Sequence, residues 1–298
     1  MDQYRGRFAP SPTGPLHFGS LVAAVGSYLE ARSRGGLWLL RMEDLDTPRT
    51  QPGAAEAILR AVEACGMHWD GEPLYQSRRG AAYRAALARL QQLGLVYPCA
   101  CTRREIADSV LSPDGALIYP GTCRSGLPPG KAARVMRVRV GGSTIAFDDA
   151  LQGPISQDLA AEVGDFVLLR ADGLFAYQLA VVVDDAEQRI TDVVRGADLL
   201  ASTPRQIYLQ RLLGLPVPRY LHLPVAVNAA GEKLSKQTRA APVDERDPVS
   251  LLVQVMQFLG QAPPEHLRRA TLAGFWDWAV ANWDTERIPR RRLEPIAQ

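Results

Sequence analysis

Apolar residues follow two alternating patterns along the first part of this chain, and the patterns predict strands and helices in turn. Short apolar runs predict strands at residues 6–10 and 37–42. Between them, apolar residues at helical spacing predict a helix that begins near His17 and stops at Gly35 and Gly36. A strand, a helix and a second strand within about forty residues form a βαβ unit. The pattern therefore predicts an α/β fold with a parallel sheet.

The alternation continues to about residue 240 with one interruption. Helices are predicted at residues 53–65, 79–93 and 203–213, strands at 134–140, 144–147, 163–170 and 221–227, and a helix followed by a strand over 179–200. The interruption, residues 97–130, is rich in Cys, Pro and Gly and predicts an irregular insertion. From about residue 240 onward the chain is predicted to be helical, with Trp276, Trp278 and Trp283 available for a small core.

Composition narrows the class of protein without identifying a partner. The 298 residues are 47% hydrophobic and 22% charged, as in soluble globular proteins. The polar N-terminus lacks the apolar core of a signal peptide, no apolar stretch approaches the roughly 18 residues of a membrane span, and four cysteines do not suggest a disulfide framework. We therefore expect a cytoplasmic protein with no membrane partner. The net charge is only +2, and the basic run at 287–292 is either a solvated tail or a phosphate contact.

The first candidate site is the turn "RFAPSPTGPLHFGS" at residues 7–20. A strand, a turn rich in Pro and Gly and a helix N-terminus form a ready anion site, because the first backbone N–H groups of a helix are unpaired and its dipole is positive there. His17 at the helix start could donate to phosphate oxygens, although a lone histidine at such a position is more often structural.

The second candidate site is "GEKLSKQ" at residues 231–237, which follows an apolar strand. Lys233 and Lys236 flank a serine on a loop that begins with glycine, an arrangement suited to a mobile phosphate clamp. The alternative is a solvated hairpin loop.

The third candidate site contains Cys99, Cys101 and Cys123, whose thiolates could bind zinc in a loop-rich segment. The alternative there is a set of buried structural thiols.

Taken together, the first two motifs resemble the paired HIGH and KMSKS signatures of class I aminoacyl-tRNA synthetases. "LLRMEDLDTPR" and "VVRGADLLASTPRQ" are similar to the glutamyl-tRNA synthetase group, and the resemblance covers roughly residues 5–240. Two departures are Ser20 at the last HIGH position and the motif "KLSKQ" in place of KMSKS. The chain is shorter than a full glutamyl-tRNA synthetase. Its length and its cysteine pattern resemble the shortened paralogues that attach glutamate to queuosine in tRNA(Asp).

This resemblance implies a Rossmann-type parallel sheet core with a zinc-bearing insertion, a small helical C-terminal region and no anticodon-binding domain. The implied segments are 1–96, the first half of the catalytic core; 97–130, the zinc-binding segment; 131–240, an acceptor-type insertion and the second half of the core with the KMSKS-like loop; and 241–298, a helical C-terminal domain.

The resemblance also implies roles for individual residues. It implies that glutamate is bound by Arg7, Ser11, Glu43, Tyr177 and Arg195, with either arginine able to take the side-chain carboxylate. It implies that ATP is bound by Pro10, His17, Gly19, Ser20, Lys233, Ser235 and Lys236, of which His17, Lys233 and Lys236 are catalytic. The family pattern C-x-C…Y-x3-C adds Tyr119 to Cys99, Cys101 and Cys123 as ligands of one structural zinc ion. Mg²⁺ is expected to accompany ATP.

The activity implied is that of a ligase. The enzyme would activate L-glutamate with ATP as glutamyl adenylate without tRNA, then transfer glutamate to queuosine in the anticodon loop of tRNA(Asp), acting as a monomer. Three alternatives remain: conventional charging of a tRNA 3′ end, a small-molecule nucleotidyltransferase, and a catalytically inactive zinc-bearing protein that binds RNA.

Overall fold

The N-terminal half of the core is a three-stranded parallel sheet in the computed structural model, which describes residues 3–102, 104–107, 109, 111, 117–142, 144–228, 231–233, 243 and 246–295. Its strands and helices alternate in the order β1 (Arg5–Phe8), α1 (Phe18–Ser33), β2 (Leu37–Met42), α2 (Ala54–Ala64), β3 (Leu74–Tyr75) and α3 (Gly80–Gln92). The predicted βαβ unit is therefore confirmed. Gly35 has φ +61°, a conformation that favours glycine, and it lies between the end of α1 and β2.

The second half of the core is a four-stranded sheet of order β7-β6-β10-β9. Its strands are β6 (Thr144–Asp149), β7 (Gly153–Asp158), β9 (Asp192–Gly196) and β10 (Arg219–Leu223). The pairs β6–β10 and β9–β10 are parallel, and β7 adds an antiparallel edge. The N–H of Thr191 donates to the carbonyl oxygen of Arg5 over 3.0 Å, which brings β9 beside β1. The strand order therefore changes direction between β1 and β9.

The insertion contains more regular structure than the sequence predicts. An antiparallel sheet joins β4 (Val96–Cys99), β5 (Val135–Val138) and β8 (Val167–Leu169), and a short helix α4 (Leu159–Glu162) precedes β8. The predictions were wrong in treating residues 97–130 as wholly irregular although β4 extends to Cys99, in omitting β7 and α4, and in starting the β8 strand at residue 163. β7 carries the polar sequence GPISQD at the sheet edge, so it lacks an apolar run that would indicate a strand.

Helices α5 (Tyr177–Glu187) and α6 (Thr203–Leu213) complete the second half and agree with their predictions. The strand predicted at 221–227 is in fact two strands, β10 and β11 (Val225–Val227), which are separated at Pro224. Proline has no N–H to donate to a strand ladder, which accounts for the break.

The C-terminal segment contains α7 (Pro248–Phe258), α8 (Leu272–Ala281) and a last strand, β12 (Leu293–Pro295). β12 was not predicted, since the whole segment was expected to be helical. It pairs in parallel with β11, and the N–H of Val225 donates to the carbonyl oxygen of Arg292 over 2.9 Å. The basic run therefore ends beside the strand that leads into the KMSKS-like motif.

The tryptophans do not form a separate small core. Trp276 is buried in the same cluster as α1 and β2, and its Nε1 donates to the carbonyl oxygen of Cys65 over 2.9 Å. Trp278 and Trp283 pack against that cluster, and the Trp283 Nε1 donates to Glu30 Oε1 over 3.0 Å. Of the helices in the described ranges, none combines the length and apolar character needed to cross a bilayer.

Candidate active site

A cleft of about 630 Å³ opens where the strand order changes, at the carboxyl ends of β1 and β9. Ligands of open parallel sheets commonly bind at this position. The predicted glutamate and ATP residues that line the cleft are Arg7, Pro10, Ser11, His17, Gly19, Ser20, Glu43, Tyr177, Arg195 and Lys233. Ser235 and Lys236 lie outside the described residues. The predicted glutamate-binding residues and the described ATP-binding residues therefore line one cavity.

The opening turn is fixed by backbone hydrogen bonds to the segment after β2. The carbonyl oxygen of Pro10 accepts from the N–H of Glu43 over 2.9 Å, and that of Pro12 accepts from the N–H of Gln51 over 3.0 Å. Within the turn, Gly14 has φ +143°, which favours glycine. These constraints hold the end of β1 and the start of α1 in the lining of one cleft.

His17 has a structural role as the N-cap of α1. Its Nδ1 accepts from the Ser20 N–H over 3.3 Å, and the Ser20 hydroxyl lies 3.0 Å from its Nε2. Because His17, Gly19 and Ser20 also line the cleft, the positive end of the 16-residue α1 dipole faces it. The histidine thus both caps the helix and borders the predicted phosphate site.

Two buried arginines, Arg7 and Arg41, contact the carboxylate of Asp185, which the sequence analysis did not single out. Arg7 Nε lies 3.2 Å and Arg41 Nη2 lies 2.8 Å from Asp185 Oδ1. Burial raises the pKa of Asp185, but these two guanidinium groups outweigh burial and hold it below its usual value. The sequence signal that could have indicated Asp185 was the pair of acidic residues at 184–185, which follows an apolar run within α5.

Glu43 is a second carboxylate beside these arginines, and its side chain is 9% exposed. Arg41 Nη2 lies 3.5 Å from its Oε1, longer than the contact between Arg41 and Asp185. Burial raises the pKa of Glu43 to about 6, against the opposing effect of Arg41 and Arg7. Glu43 is thus an incompletely compensated carboxylate that faces the cleft.

Arg195 enters the cleft from β9 and is held by neutral groups. Its Nη2 donates to Thr203 Oγ1 and to Gln206 Oε1, each over 2.8 Å. Its Nη1 lies 3.4 Å from the Tyr177 hydroxyl, and its Nε lies 3.1 Å from His222 Nε2. Among the described residues, no carboxylate lies within ion-pair distance of Arg195. The guanidinium therefore keeps its charge available to a ligand in the cleft.

The KMSKS-like motif reaches the cleft through Lys233. Its Nζ lies 2.5 Å from Asp198 Oδ2, in the 3₁₀ helix Ala197–Ser202 that follows β9, and both residues line the cleft. Asp198 was not singled out from the sequence.

A separate cluster near β4 gathers the predicted metal ligands. The sulfur atoms of Cys99, Cys101 and Cys123 lie within 4.8 Å of one another. The Tyr119 hydroxyl lies 3.3 Å from the Cys99 sulfur and 3.5 Å from the Cys101 sulfur, and the Cys101 and Cys123 sulfurs are 3.6 Å apart. Cys65 lies away from this cluster, in the core beneath Trp276.

These distances suit a tetrahedral ion. Zn–S bonds of about 2.3 Å and Zn–O bonds of about 2.0 Å place sulfur atoms about 3.8 Å apart and an oxygen about 3.5 Å from each sulfur. The Arg137 guanidinium lies 3.9 Å from the centroid of the Tyr119 ring, so a positive charge borders the cluster. Although burial raises the pKa of Cys99, hydrogen bonds with Tyr119 and Arg137 lower it to about 7. The four residues can therefore hold a metal ion.

Comparison with known proteins agrees with this geometry. The family model "tRNA synthetases class I (E and Q), catalytic domain" matches residues 3–115 and 119–266. The chain is 62% identical to a Glutamyl-Q tRNA(Asp) synthetase of Aromatoleum aromaticum, over 97% of this chain and 91% of that protein. It is 63% identical to the protein of that name from Dechloromonas aromatica, over 97% of each.

Solved structures agree as well. A glutamate tRNA ligase from Elizabethkingia meningosepticum, crystallised in complex with its amino acid, superposes with a TM-score of 0.83 at 26% identity, over 99% of this chain and 67% of that one. The family match and the near full-length identities extend across both halves of the sheet and the cleft between them. The chain therefore belongs to the family of class I tRNA synthetases for glutamate and glutamine and is a ligase-class enzyme of that family.

Proposed function

We propose that this enzyme activates L-glutamate with ATP as glutamyl adenylate, without tRNA, and transfers the glutamate to queuosine in the anticodon loop of tRNA(Asp). The observation that carries the proposal is that Arg7, Arg195 and the carboxylate of Glu43 line the same cleft. Free glutamate has two carboxylates and one ammonium group, so two cations and one anion complement it.

In the activation step, an oxygen of the glutamate α-carboxylate attacks the α-phosphorus of ATP and pyrophosphate leaves. Arg7, Arg195, Tyr177 and Ser11 orient the amino acid, and Glu43 accepts from its ammonium group. The positive end of α1 with His17, Gly19 and Ser20 borders the phosphates on one side, with Pro10 at the turn. Lys233 lines the same cleft, and the KMSKS-like motif assigns Ser235 and Lys236 to the same phosphates. Mg²⁺, when bound with ATP, supplies further positive charge to the phosphate oxygens.

In the transfer step, a queuosine hydroxyl attacks the activated carboxyl group and AMP leaves. The adenylate is already reactive, so positioning accounts for most of the acceleration. Support for this acceptor comes from relatives named Glutamyl-Q tRNA(Asp) synthetase at 62% and 63% identity, each aligned over 97% of this chain. Conventional charging of a tRNA 3′ end is the second candidate, which the likeness to glutamate tRNA ligases favours.

Queuosine dependence tests the proposed function. The protein is incubated with ATP, labelled glutamate and tRNA(Asp) that carries either queuosine or guanosine in the anticodon. In both tRNAs the terminal adenosine is replaced by 2′,3′-dideoxyadenosine, which closes the 3′ end. We expect label only on the queuosine tRNA. The same two tRNAs with an unmodified 3′ end are run in parallel, and label that appears only on them would instead support conventional charging. No glutamate-dependent ATP–pyrophosphate exchange would support an inactive binding protein.

We also propose that Cys99, Cys101, Tyr119 and Cys123 hold one structural zinc ion. The short contacts among their sulfur and oxygen atoms support the proposal, as does the loop-rich segment around them, which a metal stabilises.

Metal content tests the zinc site. Protein purified without chelator is expected to contain about one zinc per chain, and Cys99→Ser to lose most of it together with thermal stability, because a thiolate ligand is removed. Cys65→Ser is the matched control, since Cys65 is buried elsewhere. Elemental analysis and a thermal melt measure both effects. A wild-type protein without zinc, or a Cys99→Ser protein with unchanged zinc content, contradicts the site.

A further inference from the structure

Behind Arg195 lies a buried pair, His222 and Asp149, that the predicted site does not include. His222 lies on β10 at the register position opposite Arg195 on β9, and Asp149 ends β6. Both side chains are 0% exposed. His222 Nδ1 lies 2.6 Å from Asp149 Oδ2, and Arg195 Nε lies 3.1 Å from His222 Nε2. The three side chains thus form a chain from the sheet interior to the cleft.

Hydrogen-bond chemistry fixes the protonation of this chain. Arginine Nε can only donate, so His222 Nε2 must accept and the imidazole proton lies on Nδ1, where it donates to Asp149. Burial lowers the pKa of His222 to about 4, and Arg195 acts in the same direction against Asp149. The imidazole is therefore neutral at physiological pH.

Asp149 is itself held in one orientation. Its Oδ1 accepts from the N–H groups of Gln152 over 2.9 Å, Leu151 over 3.1 Å and His222 over 3.2 Å. Although burial raises the pKa of Asp149, its contacts with His222 lower it below the usual value. A fixed, ionised carboxylate thus determines the tautomer and the ring orientation of His222.

The arrangement differs from that of Arg7, which Asp185 pairs directly. A buried guanidinium needs compensation, and a direct carboxylate partner on Arg195 would offset the positive charge that attracts a substrate carboxylate. A neutral imidazole between Asp149 and Arg195 orients the guanidinium without neutralising it. Thr203 and Gln206 hold the same group through Nη2, which leaves Nη1 with Tyr177 toward the cleft.

We propose that His222 and Asp149 are positioning residues of the amino-acid site, which hold the Arg195 guanidinium in the orientation that binds a glutamate carboxylate. This rests on the proposed function, because it assigns Arg195 to glutamate. The pair acts on the amino acid alone, so its loss changes the KM for glutamate and leaves the KM for ATP in place.

ATP–pyrophosphate exchange at varied glutamate and varied ATP tests the role. His222→Leu removes the acceptor and is expected to raise the KM for glutamate roughly tenfold or more, with the KM for ATP within about twofold of wild type. His222→Gln restores an acceptor for Arg195 and is expected to recover most of that loss. Asp149→Asn, whose amide can donate to Nδ1 and reverse the tautomer, is expected to resemble His222→Leu.

Gln152→Ala is the matched control. Its amide donates to the backbone oxygen of His222 over 2.9 Å and does not touch the ring, so we expect an unchanged KM for glutamate. An active His222→Leu protein with a wild-type KM for glutamate would overturn the positioning role alone, as would equal KM increases for glutamate and ATP. If His222→Leu fails to fold, a His222→Gln protein whose KM rises as much for ATP as for glutamate overturns it. A wild-type protein that shows no exchange with glutamate overturns both this inference and the proposed function.

Discussion

Arg7→Ala is expected to lower kcat/KM for glutamate in ATP–pyrophosphate exchange by roughly a thousandfold. Arg7 is 3% exposed, lines the cleft and lies at the end of β1. Removing a buried partner of a charged ligand costs about 2–5 kcal/mol, and 1.4 kcal/mol corresponds to tenfold. Steady-state exchange at varied glutamate measures the loss.

The fold should tolerate this change because Asp185 keeps its contact with Arg41, over 2.8 Å. Arg5→Ala is the matched control: Arg5 lies two residues earlier on β1, where it shares the face of Arg7, and its Nε donates to the carbonyl oxygen of Gln188 over 3.0 Å. Arg5 does not line the cleft and should leave the KM for glutamate unchanged. Arg7→Lys keeps the charge without the planar fork and should fall between the two. An Arg7→Ala protein with wild-type kinetics removes Arg7 from the pocket.

The elements that the sequence predicted well are those with local signals at both ends. β2 matches its prediction because an apolar run follows Gly36 and is followed by acidic residues. The α6 helix also matches, since Pro204 lies in its first turn and Gly214 ends it with φ +65°. The β12 strand has no such signal: it is three residues long, contains Pro295, and exists through pairing with β11, about seventy residues earlier.

The residues behind the cleft that sequence analysis missed are buried charged groups whose partners lie on distant elements. Asp184 and Asp185 are adjacent on α5 and about 100° apart around the helix, so they face different neighbours. Asp184 accepts from the Tyr83 hydroxyl over 2.7 Å, while Asp185 meets Arg7 on β1. The sequence alone could not assign different partners to Asp184 and Asp185, because the contact between Arg7 and Asp185 forms only when β1 and α5 pack together.

The opening turn could be predicted as part of a site because its signals lie close together in sequence. The turn at 7–20 contains strand end, glycine and helix start within fourteen residues, and the structure brings its two ends to one cleft. His222 gave no such signal, since a single histidine in an apolar strand is compatible with many roles. Its relation to Arg195 appears only from the register of β9 and β10.

Glu43 should give the enzyme an acidic limit near pH 6. The free carboxylate attracts the ammonium group of glutamate, and burial raises its pKa to about 6. As pH falls below that value Glu43 becomes neutral, so kcat/KM for glutamate should fall about tenfold per pH unit. Measuring kcat/KM for glutamate in the exchange assay between pH 5 and 8 tests this acidic limb of the profile, because the pH dependence of kcat/KM reports the pKa values of groups in the free enzyme.

The contribution of Glu43 to stability should change in the opposite direction. The pKa of Glu43 is raised above its value of 4.5 in the unfolded chain, so the folded protein binds this proton more tightly. Its contribution to the free energy of unfolding therefore increases as pH falls from above 6 to below 4.5. Acid loss of activity cannot then be ascribed to unfolding through Glu43, and thermal melts across the same pH range provide the check.

Glu43→Gln should remove that limb and lower kcat/KM for glutamate by roughly a hundredfold at pH 7.5, because a charged hydrogen bond is worth about 1.5–3 kcal/mol. Arg41 retains Asp185 in this variant, so its own charge stays paired. Glu56→Gln, an exposed carboxylate in the first turn of α2, should leave both the limb and the rate intact. A Glu43→Gln enzyme that still loses activity with an apparent pKa near 6 would assign the limb to another group and remove Glu43 from ammonium recognition.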